Sequence, residues 1–552
     1  MDDFLIYTLQ DEPLSSPPRS LLPLMLTCRH FYNVLHPHNN PHLYRHIFSH
    51  KFDITALTRR LTPSSTVPSL FFPELKKRLQ ALRCIKRGDI YHPDLQDALL
   101  VAYIMVLEDD DLNYRQLQEV DLPTLLNRYI NERLHPGHNV WPKEDPCNVL
   151  AVALFWHMTS QDALDGESND SRVRVMDTLM PLWFAWFRYS FAEQGFDPHV
   201  FVNGSSSSPR LSPHMHPPVP PAPVTIPIKY MTHAFHLRLP AIALSASLAY
   251  FARLDAFPLA IPAYLPSTRV QGPIDGPTVE DIEEYNRCFR TRPVPHGPGS
   301  PGGLSTRHDL DWLRAIVEDP VTSGSFQRYT PGTLTGKWRG TALASYDRDF
   351  TPFMTGDAGP AALPGHSRLP FFCCLEEHVR FSKPKSCPFG DEWDEWDDPS
   401  NIPLLPPTTW TRKENGMELL FDERSSSTKV LYQTFKCERH GEEPENVQRD
   451  SESGSRSSTK GDDEEIVDVI LTGKTEAHLQ PAWGNFVFSG RVRISDGLVV
   501  LIRQPLNAHG GRLPRRTIYA GYVLSSQNFV GKWKYCSPGA QWEGIWTLCK
   551  TE

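Results

Sequence analysis

The sequence predicts an α+β chain of several domains, a helical N-terminal array followed by a C-terminal antiparallel β-barrel. Three observations predict it. From Leu21 to about residue 200, apolar residues recur at helical spacing. From Phe326 onward the texture changes to two-residue alternation, β-branched residues and turn signals. Proline-rich stretches separate the blocks: 51 prolines in 552 residues is nearly twice an average usage of roughly 5%. At roughly 100–200 residues per domain, the length suits about three domains.

Each element has its own reason. In 1–55, the residues Leu21, Leu22, Leu24, Met25, Leu26, Phe31, Val34 and Leu35 form a helical stripe. Pro37, Asn39 and Asn40 break it, and Pro41 opens a second short helix to Phe48. Over 60–200 the spacing predicts helices at Phe72–Ile85, Pro93–Leu107, Tyr114–Leu134, Asp145–Thr159 and Arg172–Gln194. Trp156, Trp183, Phe184, Trp186 and Phe187 are expected in their core. Eight prolines between Pro209 and Pro227 make 203–228 an extended linker. The segment 229–320 continues helical, at Tyr230–Arg253 and Val279–Phe289, with Pro/Gly-rich loops.

The barrel is expected over 325–552. Its strands are read at Gly336–Ser345, Val430–Phe435, Ile466–Thr472, Asn485–Arg493, Leu498–Arg503, Thr517–Leu524, Gly531–Tyr535 and Gly544–Leu548. Ser495-Asp496-Gly497 supplies a tight hairpin turn. The stretch 439–465 has almost no apolar residue and is expected to be a disordered insertion. Phe350–Gly365 and Cys373–Trp410 are read as the longest loops. Gly336-Lys337-Trp338 and Gly531-Lys532-Trp533 echo each other, and Gly544-Ile545-Trp546 is a looser copy. Such glycines let a strand bend while the tryptophans plug a barrel, so Trp338, Trp533 and Trp546 are expected core residues, with Trp338 and Trp533 closing one end. A Gly-x-Trp at a strand start is similar to lipocalin-like barrels.

Two further resemblances carry functional expectations. The string Leu21-Leu22-Pro23-Leu24-Met25-Leu26-Thr27-Cys28-Arg29-His30-Phe31-Tyr32-Asn33-Val34-Leu35, followed by His42-Leu43-Tyr44, resembles an F-box. Cys28-Arg29 and Phe31 stand in the family's places, and Leu43-Tyr44 stands where Leu-Trp is usual. Upstream the chain departs from the family, with Phe4-Leu5-Ile6-Tyr7-Thr8-Leu9 in place of Leu-Pro-x-Glu and an Ile-x-x-Leu helix. In the C-terminal half, Tyr329–Gly340, Asp468–Thr475, Trp483–Leu498 and Gly521–Trp533 resemble fungal F-box proteins that join an F-box, a helical middle and a β-barrel. The resemblance implies a substrate receptor of an SCF-type, cullin-RING ubiquitin ligase. Leu24, Leu26, Cys28, Phe31, Leu43 and Tyr44 would then bind a Skp-family adaptor, itself held by a cullin scaffold. The barrel would bind a protein substrate destined for ubiquitin-dependent degradation.

The target-binding expectation rests on Asp391–Asp398, an acidic run in which Trp393 and Trp396 stand beside Asp394 and Asp397. Exposed tryptophans anchor interfaces, and charge steers and selects the partner. Other chemistry is not called for. The formal charge of −9 excludes a nucleic-acid binder that works by bulk positive charge. No apolar run reaches the ~18–20 residues of a membrane helix, and the acidic start lacks a signal-peptide n-region, so a cytoplasmic or nuclear location is expected. Gly297-Pro-Gly299-Ser-Pro-Gly302 matches a nucleotide-loop string, but its prolines remove the amide donors a phosphate needs. Cys373, Cys374, His378, Cys387, Cys437 and His440 lack the spacing of a zinc ribbon or finger. No cofactor, metal or catalytic residue is assigned, and no nucleophile–base set points to an enzyme. The alternative is a small-ligand binder with an apolar barrel cavity.

Overall fold

The computed structural model describes residues 21–61, 67–134, 145–184, 225–231, 233–271, 275–288, 290–295, 304–317, 329–346, 367–382, 410–413, 416–423, 426–435, 465–494, 496–506, 516–536 and 542–551. The helices begin with α1 (Leu21–Thr27), α2 (Arg29–Leu35), α3 (Pro41–Lys51) and α4 (Thr55–Arg60). They continue with α5 (Phe71–Lys86), α6 (Leu95–Leu107), α7 (Leu112–Glu119), α8 (Leu122–Arg128), α9 (Pro146–His157), α10 (Gln161–Gly166) and α11 (Asn169–Phe184). Local chemistry sets several starts. Asn40 accepts from the Leu43 amide ahead of Pro41, and Asp145 accepts from the Asn148 amide ahead of Pro146. The helix expected over Tyr114–Leu134 is interrupted. Asp121 adopts φ 59°, in the left-handed region that Asp tolerates, and caps α8, which ends in a wider π turn at Tyr129–Leu134.

α6 and α9 are almost wholly buried, as is α12 (Ile242–Leu254), and α9 packs against both of the others. Trp156 on α9 is fully buried, as expected; the side chains of Trp183 and Phe184, and all of Trp186 and Phe187, lie outside the described residues. The helix read from Tyr230 begins only at Ile242. Ahead of it, β1 (Thr225–Tyr230) and β2 (His233–Arg238) form an antiparallel hairpin, turning at Met231 with φ 50°. β3 (Ile316–Val317) completes this small sheet. Pro227 sits in β1, which is an edge strand where a missing N–H is tolerated, and it masks the alternation of Ile226, Ile228 and Tyr230. The last four residues assigned to the linker are therefore sheet; 203–224 lie outside the described residues. α13 (Val279–Arg287) opens with a capping box of Thr278 and Asp281, and α14 (Asp309–Ala315) leads toward the barrel.

The C-terminal half forms a closed antiparallel barrel of eight strands. They are β4 (Gly336–Tyr346), β5 (Ser367–Ser382), then, beyond an extension, β9 (Glu465–Lys474), β10 (Phe486–Val492), β11 (Val499–Pro505), β12 (Arg516–Leu524), β13 (Asn528–Cys536) and β14 (Trp542–Thr551). The ring closes because β4 pairs with β14 on one side and with β5 on the other. The extension consists of β6 (Trp410–Lys413), β7 (Gly416–Glu423) and β8 (Ser426–Phe435). It joins the far half of β5, where Glu377 pairs with Phe435 after the β4 partners have run out at Leu375. The strand read at Val430–Phe435 is thus in the extension. Its expected place in the barrel is taken by β5, the first ten residues of the expected loop Cys373–Trp410 being strand. Residues 383–409, Phe350–Gly365 and 436–464 lie outside the described residues. The hairpin at Asp496-Gly497 is as expected: Asp496 accepts from the Leu498 amide, and Gly497 takes φ 75°.

Inward positions alternate along each strand, and aromatic rings fill the interior. Trp338, Phe371, Phe488, Tyr519, Phe529, Trp533 and Trp546 belong to one buried cluster. Ring centroids lie 5.8 Å apart for Trp338–Phe529, 4.4 Å for Phe529–Trp546 and 4.6 Å for Phe371–Tyr519. The three tryptophans are buried as expected, but Trp338 and Trp533 do not share an end. The Trp338 indole donates to the Leu334 carbonyl just before β4, whereas the Trp533 indole donates to Leu343 near the far end of that strand. The outer wall of the barrel is apolar where it meets the helices. Leu343, Leu498, Tyr522, Leu524, Val530 and Ile545 belong to the same core as α6, α9 and α12. Among the described residues, no helix is long and apolar enough to cross a membrane.

Candidate interaction surface

α1 and α2 are nearly one helix, broken at Cys28. That residue is extended (φ −159°, ψ 161°), and its Sγ accepts from the Phe31 amide at 3.5 Å, so the thiol serves as the cap of α2. The break rotates the two apolar stripes relative to each other. Leu24, Met25 and Phe31 rest half-buried against the helical core, while Leu26 is 73% exposed and Tyr32 47%. Cys28, Arg29 and His30 are exposed between them. From Leu21 to Leu43 the chain has one arginine and four histidines but no carboxylate, so the face joins exposed apolar groups to a basic margin.

Leu43 and Tyr44 are placed differently from the expected adaptor surface. Both are buried in α3, and the Tyr44 hydroxyl donates to the Leu35 carbonyl at 2.8 Å while its ring meets Phe72 edge-on. They form the floor on which α2 stands. Of the expected adaptor residues, the structure therefore leaves Leu26 and Cys28 exposed, Leu24 and Phe31 half-buried, and Leu43 and Tyr44 enclosed. Tyr32, beside them in the motif string, was not singled out by sequence. Its one-residue offset from Phe31 turns it about 100° round the helix, out of the core-facing stripe.

The end of the barrel at the start of β4 is plugged by the lead-in segment Tyr329–Thr335. Glu377, inward on β5 and fully buried, accepts from the Tyr329 hydroxyl at 3.0 Å, the Thr335 amide at 3.1 Å and the amides of Gly332 and Leu334. Burial pushes its carboxyl up, against the pull of those donors. Lys550 of β14 donates to the Gly332 and Thr333 carbonyls from the other side. On the outer face of β5, His378 meets the hydroxyls of Thr434 on β8 at 2.9 Å and Thr472 on β9 at 2.8 Å. Burial pushes this imidazole down to about 4. Neither residue was legible as a clamp in sequence, because their partners lie 42 to 94 residues away.

These contacts bear on the cysteine cluster. Cys373 faces the barrel interior and Cys374 the outside, and both His378 nitrogens are engaged. Cys387, Cys437 and His440 lie outside the described residues. Among the described residues no three His, Cys, Asp or Glu side chains converge as metal ligands. Trp393, Trp396, Asp394 and Asp397 also lie outside the described residues, in the connection between Ser382 of β5 and Trp410 of β6. Comparisons with family models, with curated proteins and with solved structures find no match to this chain.

Proposed function

We propose that this chain is a substrate receptor of an SCF-type ubiquitin ligase, docking a Skp-family adaptor on α1–α2 and a protein target on the barrel side. The observation that carries the reading is the exposed apolar face of Leu26 and Tyr32, flanked by Arg29 and His30, on the helices that bear the F-box-like string. Exposed large apolar groups on a helical pair favour a partner's apolar helix, and the basic margin favours an acidic one. The barrel interior supports a protein-binding scaffold over a ligand cavity, because its aromatic rings occupy the space a ligand would need.

The test is co-purification of the adaptor with a double variant, Leu26→Asp and Tyr32→Asp. Both side chains are exposed, so the melting temperature should change by little while adaptor recovery falls at least tenfold. Equal recovery from wild type and variant would refute the docking face. For the target side, replacing Trp393 and Trp396 by Ala should remove a subset of co-purifying proteins and leave adaptor recovery intact. An identical set with and without the two tryptophans would exclude that connection as the recognition element.

A further inference from the structure

Where α12 ends, α13 packs on the barrel and β5 begins, the described residues leave an unusual number of buried polar atoms, donors and the carboxylate of Asp255, without a hydrogen bond. Of the nineteen buried side-chain N and O atoms without a hydrogen bond, seven belong to Asp255, Arg290, Thr291 and Arg368, which singles out this one junction. Arg290 is 1% exposed. One of its nitrogens donates to the Asp255 carbonyl at 2.9 Å, and its Nε lies 3.1 Å from the Asp255 carboxylate, but Nε and Nη1 make no hydrogen bond. Its guanidinium stands 4.5 Å from the Tyr285 ring centre, and the Tyr285 hydroxyl is engaged with Thr341 of β4.

Arg368 reaches the same place from β5. Its Nη1 donates to the Phe257 carbonyl, two residues beyond Asp255, while Nε and Nη2 are buried without a well-formed hydrogen bond, the guanidinium having the Tyr285 hydroxyl beside it. Nε and Nη2 form the edge of a guanidinium that binds an oxyanion side-on. Two guanidinium groups against one carboxylate leave a formal charge of +1 in a place with little water. Water molecules can satisfy the donors, but only an anion also balances the charge.

We infer that Arg290, Arg368 and the Thr291 hydroxyl form a buried site for a small tetrahedral oxyanion, phosphate or sulfate, at the junction of the helical body and the barrel. Asp255 competes with that anion for both guanidinium groups. Burial pushes its carboxyl up to about 6, while Arg290, Arg368 and the backbone amides of Arg290 and Thr291 pull it down. The occupied site would bridge α12 to β5.

Calorimetric titration of the full chain with inorganic phosphate, and melting with phosphate, sulfate or chloride at one ionic strength and pH 7.5, tests this. The expected result is saturable phosphate binding and a melting temperature raised by at least about 2 °C by phosphate or sulfate but not by chloride. Asp255→Asn removes the competing carboxylate and should tighten phosphate binding several-fold. Arg368→Gln, at a half-buried position, should abolish the response. A wild-type chain indifferent to phosphate and sulfate would overturn the inference. So would an Asp255→Asn variant that folds and binds phosphate no better than wild type; this variant decides the matter even if Arg368→Gln fails to fold.

Discussion

Both ring nitrogens of His378 are committed to threonine hydroxyls, and a neutral imidazole suits this, donating from one nitrogen and accepting at the other. The folded value of about 4 lies below the ordinary 6.5, so folding favours the uncharged ring. Its contribution is complete above pH 6.5. As pH falls toward 4 the unfolded chain takes up a proton that the folded chain refuses, and stability on the order of 3 kcal/mol is lost. Denaturation of wild type and His378→Gln at pH 7 and at pH 4 checks this, since the gap between the two proteins should narrow by roughly that amount. A gap that stays constant would mean the ring does not titrate in this window.

At the scale of the element, the barrel strands divide their interior between glycine and aromatic residues. A Cβ on Gly544 of β14 would overlap the Leu343 carbonyl oxygen and crowd Nε1 of Trp533, the pair that form a hydrogen bond at 2.9 Å. Gly544→Ala should therefore cost about as much as truncating the tryptophan it makes room for. Trp338→Ala and Trp533→Ala should each cost about 3–5 kcal/mol by chemical denaturation. If Gly544→Ala melts within a degree of wild type, the close approach is not a constraint. The sequence made the core role of these tryptophans legible through the repeated Gly-Lys-Trp, but not their levels in the barrel, which depend on strand register. β5 was illegible for a related reason. Pro370 and the run Glu376-Glu377-His378 break its apolar alternation; what makes it a strand is pairing with β4 and β9, and distant donors satisfy the Glu377 carboxylate that this buries. The motif marks Leu43 and Tyr44 as adaptor contacts, but it alone cannot tell a contact with a partner from one with Phe72 and Leu35.

Over the whole molecule, the barrel and the helices share one apolar core. Leu343, Leu498, Tyr522, Leu524, Val530 and Ile545 face helices, and Asp311 of α14 accepts from the Ser525 amide at the β12–β13 turn. A chain of residues 325–552 alone would expose that wall, so it should aggregate or bind a hydrophobic dye, whereas the full chain should melt in one transition. A soluble, cooperatively folding fragment would contradict the shared core. The closure of the ring has a further consequence for how the protein is made. β4 needs β14 as a neighbour, and about 200 residues separate them along the chain. During synthesis the first barrel strand emerges long before the strand that completes its pairing, and until then it presents an open edge to everything around it. The Trp338 ring and the Glu377 clamp belong to the half assembled early, while the Lys550 contact arrives only with the last strand, so a ribosome that stalls in between releases a barrel missing one stave.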